Sequence, residues 1–145
     1  MGLALGYTHE SNGRDGDESR SIDLLFVRPY FTFGDPVGFH WTFAPKLYGY
    51  IERSDNPDIA RYRGFGDYRL TYGKDNDWQI AWTLRVGTQS GAFSSDLQAT
   101  YPLHRLAPGL AGYLMGQYFT GYGESLLTYN RREPWAVRVG YAISR

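Results

Sequence analysis

Apolar and polar residues alternate along most of this chain, and the alternation breaks at short glycine-rich or charged stretches. In a strand successive side chains point to opposite faces, so a period of two sorts residues into two sets. From Gly2 to Ser11 the odd positions Leu3, Leu5, Tyr7, His9 and Ser11 share one face. From Ser21 to Phe33 one face carries Asp23, Leu25, Val27, Phe31 and Phe33. The cleanest alternation is Phe39 to Glu52, with Phe39, Trp41, Phe43, Leu47 and Ile51 opposite His40, Thr42, Lys46, Tyr48 and Glu52. Tyr62 to Lys74, Trp78 to Gln89, Phe93 to Leu103, Leu110 to Tyr122 and Trp135 to Ile143 complete a set of eight predicted strands. In several of them one face is Trp, Leu, Ile and Tyr while the other holds Arg, Asp, Gln and Thr, which can pair inside a narrow lumen.

The connections alternate too. Ser11–Arg20, Glu52–Arg61 and Gly123–Pro134 are long or polar, and Gln89–Ala92 is a shorter member of that side; Gly34–Gly38, Lys74–Asp77 and His104–Pro108 are compact. Long loops on one side and short turns on the other are the habit of outer-membrane barrels, whose long loops face outward. No run of 18 apolar residues exists, which excludes a membrane-spanning helix. The fold expected is therefore all-β, an antiparallel transmembrane β-barrel forming a single domain over residues 1–145. Composition agrees: 13 Tyr, 8 Phe, 4 Trp and 18 Gly suit a barrel with aromatic girdles better than a helical domain. With 15 basic and 15 acidic residues nothing draws the chain to nucleic acid, and without cysteine there is neither disulfide nor thiolate chemistry. MGLALGYTHE lacks the features of an export signal, so a barrel of this kind is expected to have lost a presequence or to be truncated at its N-terminus.

Candidate chemistry gathers between Tyr7 and Asp23. His9 and Ser11 lie two residues apart on one face, with Cα atoms roughly 6.5 Å apart, so an imidazole and a hydroxyl leaning together can form a hydrogen bond. An antiparallel hairpin brings Asp23 back beside His9, where its carboxylate can accept the second ring N–H and hold the tautomer. Parity turns all three outward, toward lipid, near the loop end. A polar cluster on an apolar face is costly unless it works or lies at the interface. The plainer reading is that His-x-Ser arises by chance and that DGDES is a solvated loop.

HESNGR, with Ser19 and then Asp23 beyond it, resembles the active-site segment of the outer-membrane phospholipase A family. The resemblance continues in order through SDNPDIARYRGFGDYRLTYG at Ser54 to Gly73, TYP at Thr100 to Pro102 and TGYGESLLTYN at Thr120 to Asn130. It implies a calcium-dependent phospholipase of the bacterial outer membrane, cleaving acyl esters of phospholipids with A1, A2 and lysophospholipase activity and working toward the outer leaflet. Ser11 is implied as nucleophile, His9 as base and Asp23 as orienter, with the Gly13 N–H at the oxyanion and the Arg14 carbonyl and Ser19 hydroxyl on Ca2+. Asp15, Asp17 and Glu18 can add charge to that loop or simply solvate it. The family usually carries Asn where Asp23 stands, and the extra negative charge favours a nearby cation. The resemblance further implies a homodimer as the active form and a twelve-stranded barrel, of which this chain supplies about the last eight strands. Its C-terminal Ile143-Ser144-Arg145 lacks the terminal aromatic common in such barrels. Two other classes remain on the sequence: a non-enzymatic outer-membrane barrel, pore or structural, and a soluble barrel for a small apolar ligand.

Overall fold

A computed structural model describes residues 1–14 and 16–143. Asp15, the side chain of Asp17, Ser144 and Arg145, all named above, lie outside the described residues. The strands are β1 (Gly2–Ser11), β2 (Ser21–Gly34), β3 (His40–Glu52), β4 (Gly66–Gly73), β5 (Gln79–Val86), β6 (Phe93–Pro102), β7 (Tyr113–Gly121) and β8 (Glu133–Ala142). They form one eight-stranded sheet in sequence order, each strand antiparallel to the next. No pairing among the described residues joins β8 to β1, so the sheet is a partial barrel with two open edges.

The period-two reading holds through the sheet. Leu5, Trp135 and Val139 are 73%, 62% and 76% exposed on the outer face, which apart from the His9, Ser11 and Asp23 cluster is largely apolar. A continuous surface of this kind facing water would be a large aggregation-prone patch, which argues against the soluble barrel. Facing lipid, the same surface is in its proper solvent. Among the described residues no helix is long and apolar enough to cross a membrane. At the end with short turns, Phe39, Trp41, Tyr72 and Trp78 contact one another ring to ring, with Trp41–Tyr72 and Phe39–Trp78 centroids at 4.7 and 4.9 Å. That cluster is one of the expected aromatic girdles.

The expected strand from Tyr62 begins only at Gly66, because residues 60–63 form a single helical turn, α1 (Ala60–Arg63). Tyr62 and Arg63 mimic strand alternation in a window too short to separate a period of two from 3.6. Gly64 ends the turn with a φ of 63°, and a Cβ there would lie 1.9 Å from the Val86 carbonyl oxygen. Only glycine fits both the backbone and the space.

The β3–β4 and β7–β8 connections fold onto the inner face at the long-loop end. Ile22, Leu24, Tyr48, Ile59 and Leu126 form a buried cluster there, with Phe26, Tyr50 and Tyr129 packed against it. Beside it lies Arg63, 5% exposed, whose carbonyl accepts from the Tyr48 hydroxyl at 3.1 Å. Its Nη atoms donate to both Glu10 carboxylate oxygens at 2.9–3.1 Å, and its Nε donates to the Gly123 carbonyl at 2.8 Å. Arg85 Nη1 donates to the same carbonyl at 3.2 Å while its Nε holds Asp67 at 2.7 Å. Glu10 lies between His9 and Ser11 but points inward, so this network fastens the end of β1 to the two folded-in loops.

Arg63→Ala leaves the Glu10 carboxylate without its guanidinium and should cost about 2 kcal/mol, in the range for hydrogen bonds to charged groups. Urea unfolding in detergent micelles would report it, and an unchanged midpoint would contradict the latch. Tyr129 donates to Asp58, and burial, reinforced by that hydrogen bond, pushes its phenol up to about 12 from 10.0. The folded state thus favours the neutral phenol, whose contribution is complete below pH 10 and disappears as pH rises toward 12. Alkaline difference spectroscopy should show a tyrosine titrating late in the protein and absent from Tyr129→Phe.

Candidate active site

The hairpin register pairs His9 directly with Asp23, Tyr7 with Leu25 and Ser11 with Ser21. Directly opposed residues on one face are close enough for side chains to meet. His9 Nδ1 lies 2.7 Å from Asp23 Oδ1. A carboxylate only accepts, so Nδ1 carries the proton and Nε2 keeps its lone pair. The His9 side chain is 54% exposed and that of Asp23 25%, which leaves the ring accessible and the carboxylate sheltered behind it. Opposite Asp23, β3 slips its register between Asp23 and Leu24, a β-bulge at the point where the polar cluster interrupts the apolar face.

Tyr7 adds a contact that parity allowed but the sequence reading did not assign. Its hydroxyl donates to the same Asp23 Oδ1 at 2.7 Å. The second donor to the carboxylate is therefore a neutral phenol, not the cation expected to accompany Asp23.

Ser11 closes β1, and its hydroxyl is exposed. Among the described residues no hydrogen bond joins it to His9; it accepts from the Gly13 N–H at 3.4 Å instead. Where β1 ends the chain turns sharply, Gly13 adopting a φ of 65°, and that turn aims its N–H at the hydroxyl. The expected His9–Ser11 contact is thus replaced by a base and a hydroxyl side by side, a looseness common before substrate binds. The Gly13 N–H is thus directed at the Ser11 hydroxyl.

Asn12 shapes the loop beyond. Its Oδ1 accepts from the backbone N–H groups of Arg14 (3.3 Å) and Arg20 (3.0 Å), and its Nδ2 donates to the Glu18 carbonyl at 2.7 Å. One amide side chain thus gathers both ends of the segment that carries the Arg14 carbonyl and the Ser19 hydroxyl. Neither of those oxygens is taken by a hydrogen bond among the described residues. They are neutral hard donors of the kind Ca2+ accepts, an ion that takes six to eight oxygens. Glu18 pairs with Arg14 Nη1, and among the described residues no group of three His, Asp or Glu side chains is placed to hold a metal. Beside the loop, Asp55 Oδ2 accepts from Ser21 N and Oγ at 3.0 and 3.1 Å and ties it to the β3–β4 connection.

The family profile of phospholipase A1 matches residues 1–144. The chain belongs to the phospholipase A1 family. Among curated relatives, a putative phospholipase A1 of Neisseria meningitidis serogroup B is 32% identical over 133 residues, covering 90% of this chain and 33% of the relative. Phospholipase A1 of Escherichia coli K12 is 29% identical over 142 residues, covering 97% of this chain and 44% of the relative. The chain therefore spans less than half the length of these relatives. Among solved structures, outer membrane phospholipase A from Escherichia coli superimposes with a TM-score of 0.77 at 29% identity, over 97% of this chain and 53% of that one. The Salmonella typhi outer membrane phospholipase, solved as a dimer with bound calcium, gives 0.74 at 28% identity, over 97% of this chain and 50% of that one.

Within this chain, His40 and His104 stand apart from the cluster. His40 opens β3 with its Nδ1 3.0 Å from the Gly38 carbonyl, and His104 sits in the Leu103–Arg105 turn. The stretch Tyr122 to Ser125 packs into the rim, with Gly123 held by two arginines and Glu124 paired with Arg138. The residues that went unassigned are Tyr7 and the Glu10–Arg63 pair. The signal for Tyr7 was its parity with His9; the Arg63 contact joins positions 53 apart and had no local signal.

Asn12→Ala removes the acceptor shared by two backbone N–H groups and should speed amide exchange at both Arg14 and Arg20 by roughly ten-fold or more, the equivalent of one net hydrogen bond. Hydrogen-exchange mass spectrometry of the loop peptide checks this, and unaltered exchange would contradict the clamp.

Proposed function

We infer that the protein is a calcium-dependent outer-membrane phospholipase that hydrolyses the acyl esters of phospholipids, of A1/A2 and lysophospholipase type. The observation that carries the reading is the His9–Asp23 contact beside Ser11, on the outward face at the long-loop end of a membrane-type sheet. A soluble substrate would be met from the lumen or from water. An ester just below a lipid headgroup is met from the outer face near the interface.

In this mechanism Ser11 Oγ attacks the acyl carbonyl while His9 Nε2 takes its proton. Asp23 accepts from Nδ1–H and stabilises the imidazolium that results. The Gly13 N–H donates to the oxyanion. His9 then returns the proton to the departing lysolipid alcohol, and a water deprotonated by His9 cleaves the acyl-enzyme to release the fatty acid. The Arg14 carbonyl and the Ser19 hydroxyl would hold Ca2+, which would supply positive charge for stabilising the oxyanion.

The reading extends to assembly. The two open sheet edges and the half-length match to the solved barrels support a single barrel domain, of about twelve strands in the family, whose remaining strands lie outside residues 1–145. A homodimer as the active form is supported by the calcium-bound dimer of the Salmonella typhi relative. The alternation of long and short connections supports an orientation with the site toward the outer leaflet.

Fatty-acid release from phospholipid–detergent micelles tests the reading. Release with calcium should stop on chelation, return on adding calcium back, and fall by at least about three orders of magnitude in Ser11→Ala, as for loss of a serine nucleophile. A Ser11→Ala protein that still releases fatty acid at the parent rate would refute the assignment.

A further inference from the structure

We propose that Tyr7 is a positioning residue of this hydrolase, holding the Asp23 carboxylate in the orientation from which it steers His9. The proposal rests on the serine-hydrolase reading above and deepens it.

Tyr7 and His9 stand two positions apart on one face of β1, and Asp23 lies across from His9. The phenol reaches Asp23 along the diagonal between the strands, a span open to aromatic side chains. It ends 2.7 Å from Oδ1, the oxygen that also receives His9 Nδ1 at 2.7 Å. A carboxyl group turns about a broad, two-fold torsion, so one donor leaves its plane loosely set. Two donors from the same strand, converging on one oxygen, fix both the plane and the oxygen that faces the imidazole.

The chemistry of the donor matters as much as its place. An arginine or lysine here would neutralise Asp23 and withdraw the negative charge that supports the imidazolium. A phenol hydrogen-bonds the carboxylate and leaves its charge in place. Asp23 stands on an otherwise apolar outer face, where an anion with too few donors is costly. Tyr7 supplies a charge-assisted hydrogen bond where the surroundings offer little water. It thereby makes an aspartate workable at this position.

A different role for Tyr7 has different consequences. Aromatic residues near the ends of barrel strands anchor at the lipid interface, and Tyr7 is 55% exposed. An anchor acts through its ring and affects binding to the lipid surface. A positioning residue acts through its hydroxyl and affects turnover.

Tyr7→Phe removes the hydroxyl and keeps the ring. Measured on phospholipid–detergent micelles with calcium, kcat should fall roughly ten-fold, the size of one charge-assisted hydrogen bond, with KM unchanged. In an Asp23→Ala background the same change should leave the residual kcat where it is, because nothing remains for the phenol to hold. If Asp23→Ala does not fold, judged by heat-modifiable migration on gels, Asp23→Asn replaces it and the Tyr7→Phe effect should shrink there. An effect confined to KM, an equal fall in both backgrounds or an unaltered kcat would overturn the proposal. Loss of turnover in Ser11→Ala confirms that the measured reaction is the one Tyr7 serves; turnover that survives Ser11→Ala overturns the underlying hydrolase reading, and this proposal with it.

Discussion

If β1 and β2 slipped by one residue, the strand carrying His9 and Ser11 would keep its faces but Ile22 or Leu24 would come to stand where Asp23 is needed. Side chains alternate with a period of two, so one step of register exchanges the whole partner set. The observed register, with His9 opposite Asp23 and Ser11 opposite Ser21, is therefore the constraint on which the site depends. It is held from both faces. Outside, Leu3, Leu5 and Leu25 belong to the lipid-facing surface; inside, Ile22 and Leu24 fill the buried cluster under the folded-in loops.

Glu10 joins these two worlds. Its neighbours His9 and Ser11 face outward, while its own carboxylate reaches inward to Arg63 and through it to the Gly123 carbonyl. Strand geometry makes this division unavoidable: two outward residues in a period-two segment have an inward one between them. The loops on the inner face thus brace the backbone of the outward cluster. Asn12 performs the corresponding task for the turn that follows, drawing Arg14 and Arg20 onto one amide oxygen.

Much of this was legible in the sequence because alternation is a local signal. The eight strands, their outer faces, the alternation of long and short connections and the meeting of His9 with Asp23 follow from parity and one hairpin. The second half of the Ala60–Arg63 turn, Tyr62 and Arg63, was read as strand because two alternating residues do not distinguish a sheet from a helix, and what stops the chain there is the crowding of Gly64 against Val86. The Arg63–Glu10 bond depends on how a loop folds back into the barrel, which no local pattern encodes. The expected His9–Ser11 hydrogen bond gave way because Ser11 is the last residue of β1, where the turn offers its hydroxyl a backbone N–H instead. Tyr7 shared the right face, yet its role emerged only once the reach of the phenol across the strands was fixed.

The central claim is that His9 and Asp23 activate Ser11 and no other hydroxyl of this segment. Peptide mapping after reaction with a fluorophosphonate tests it most directly, since Ser11, Ser19 and Ser21 all lie within one stretch of chain and only the activated one should react. The account requires a single adduct on Ser11 that is lost in His9→Ala. An adduct on Ser19 or Ser21, or one on Ser11 that forms equally fast without His9, would contradict it.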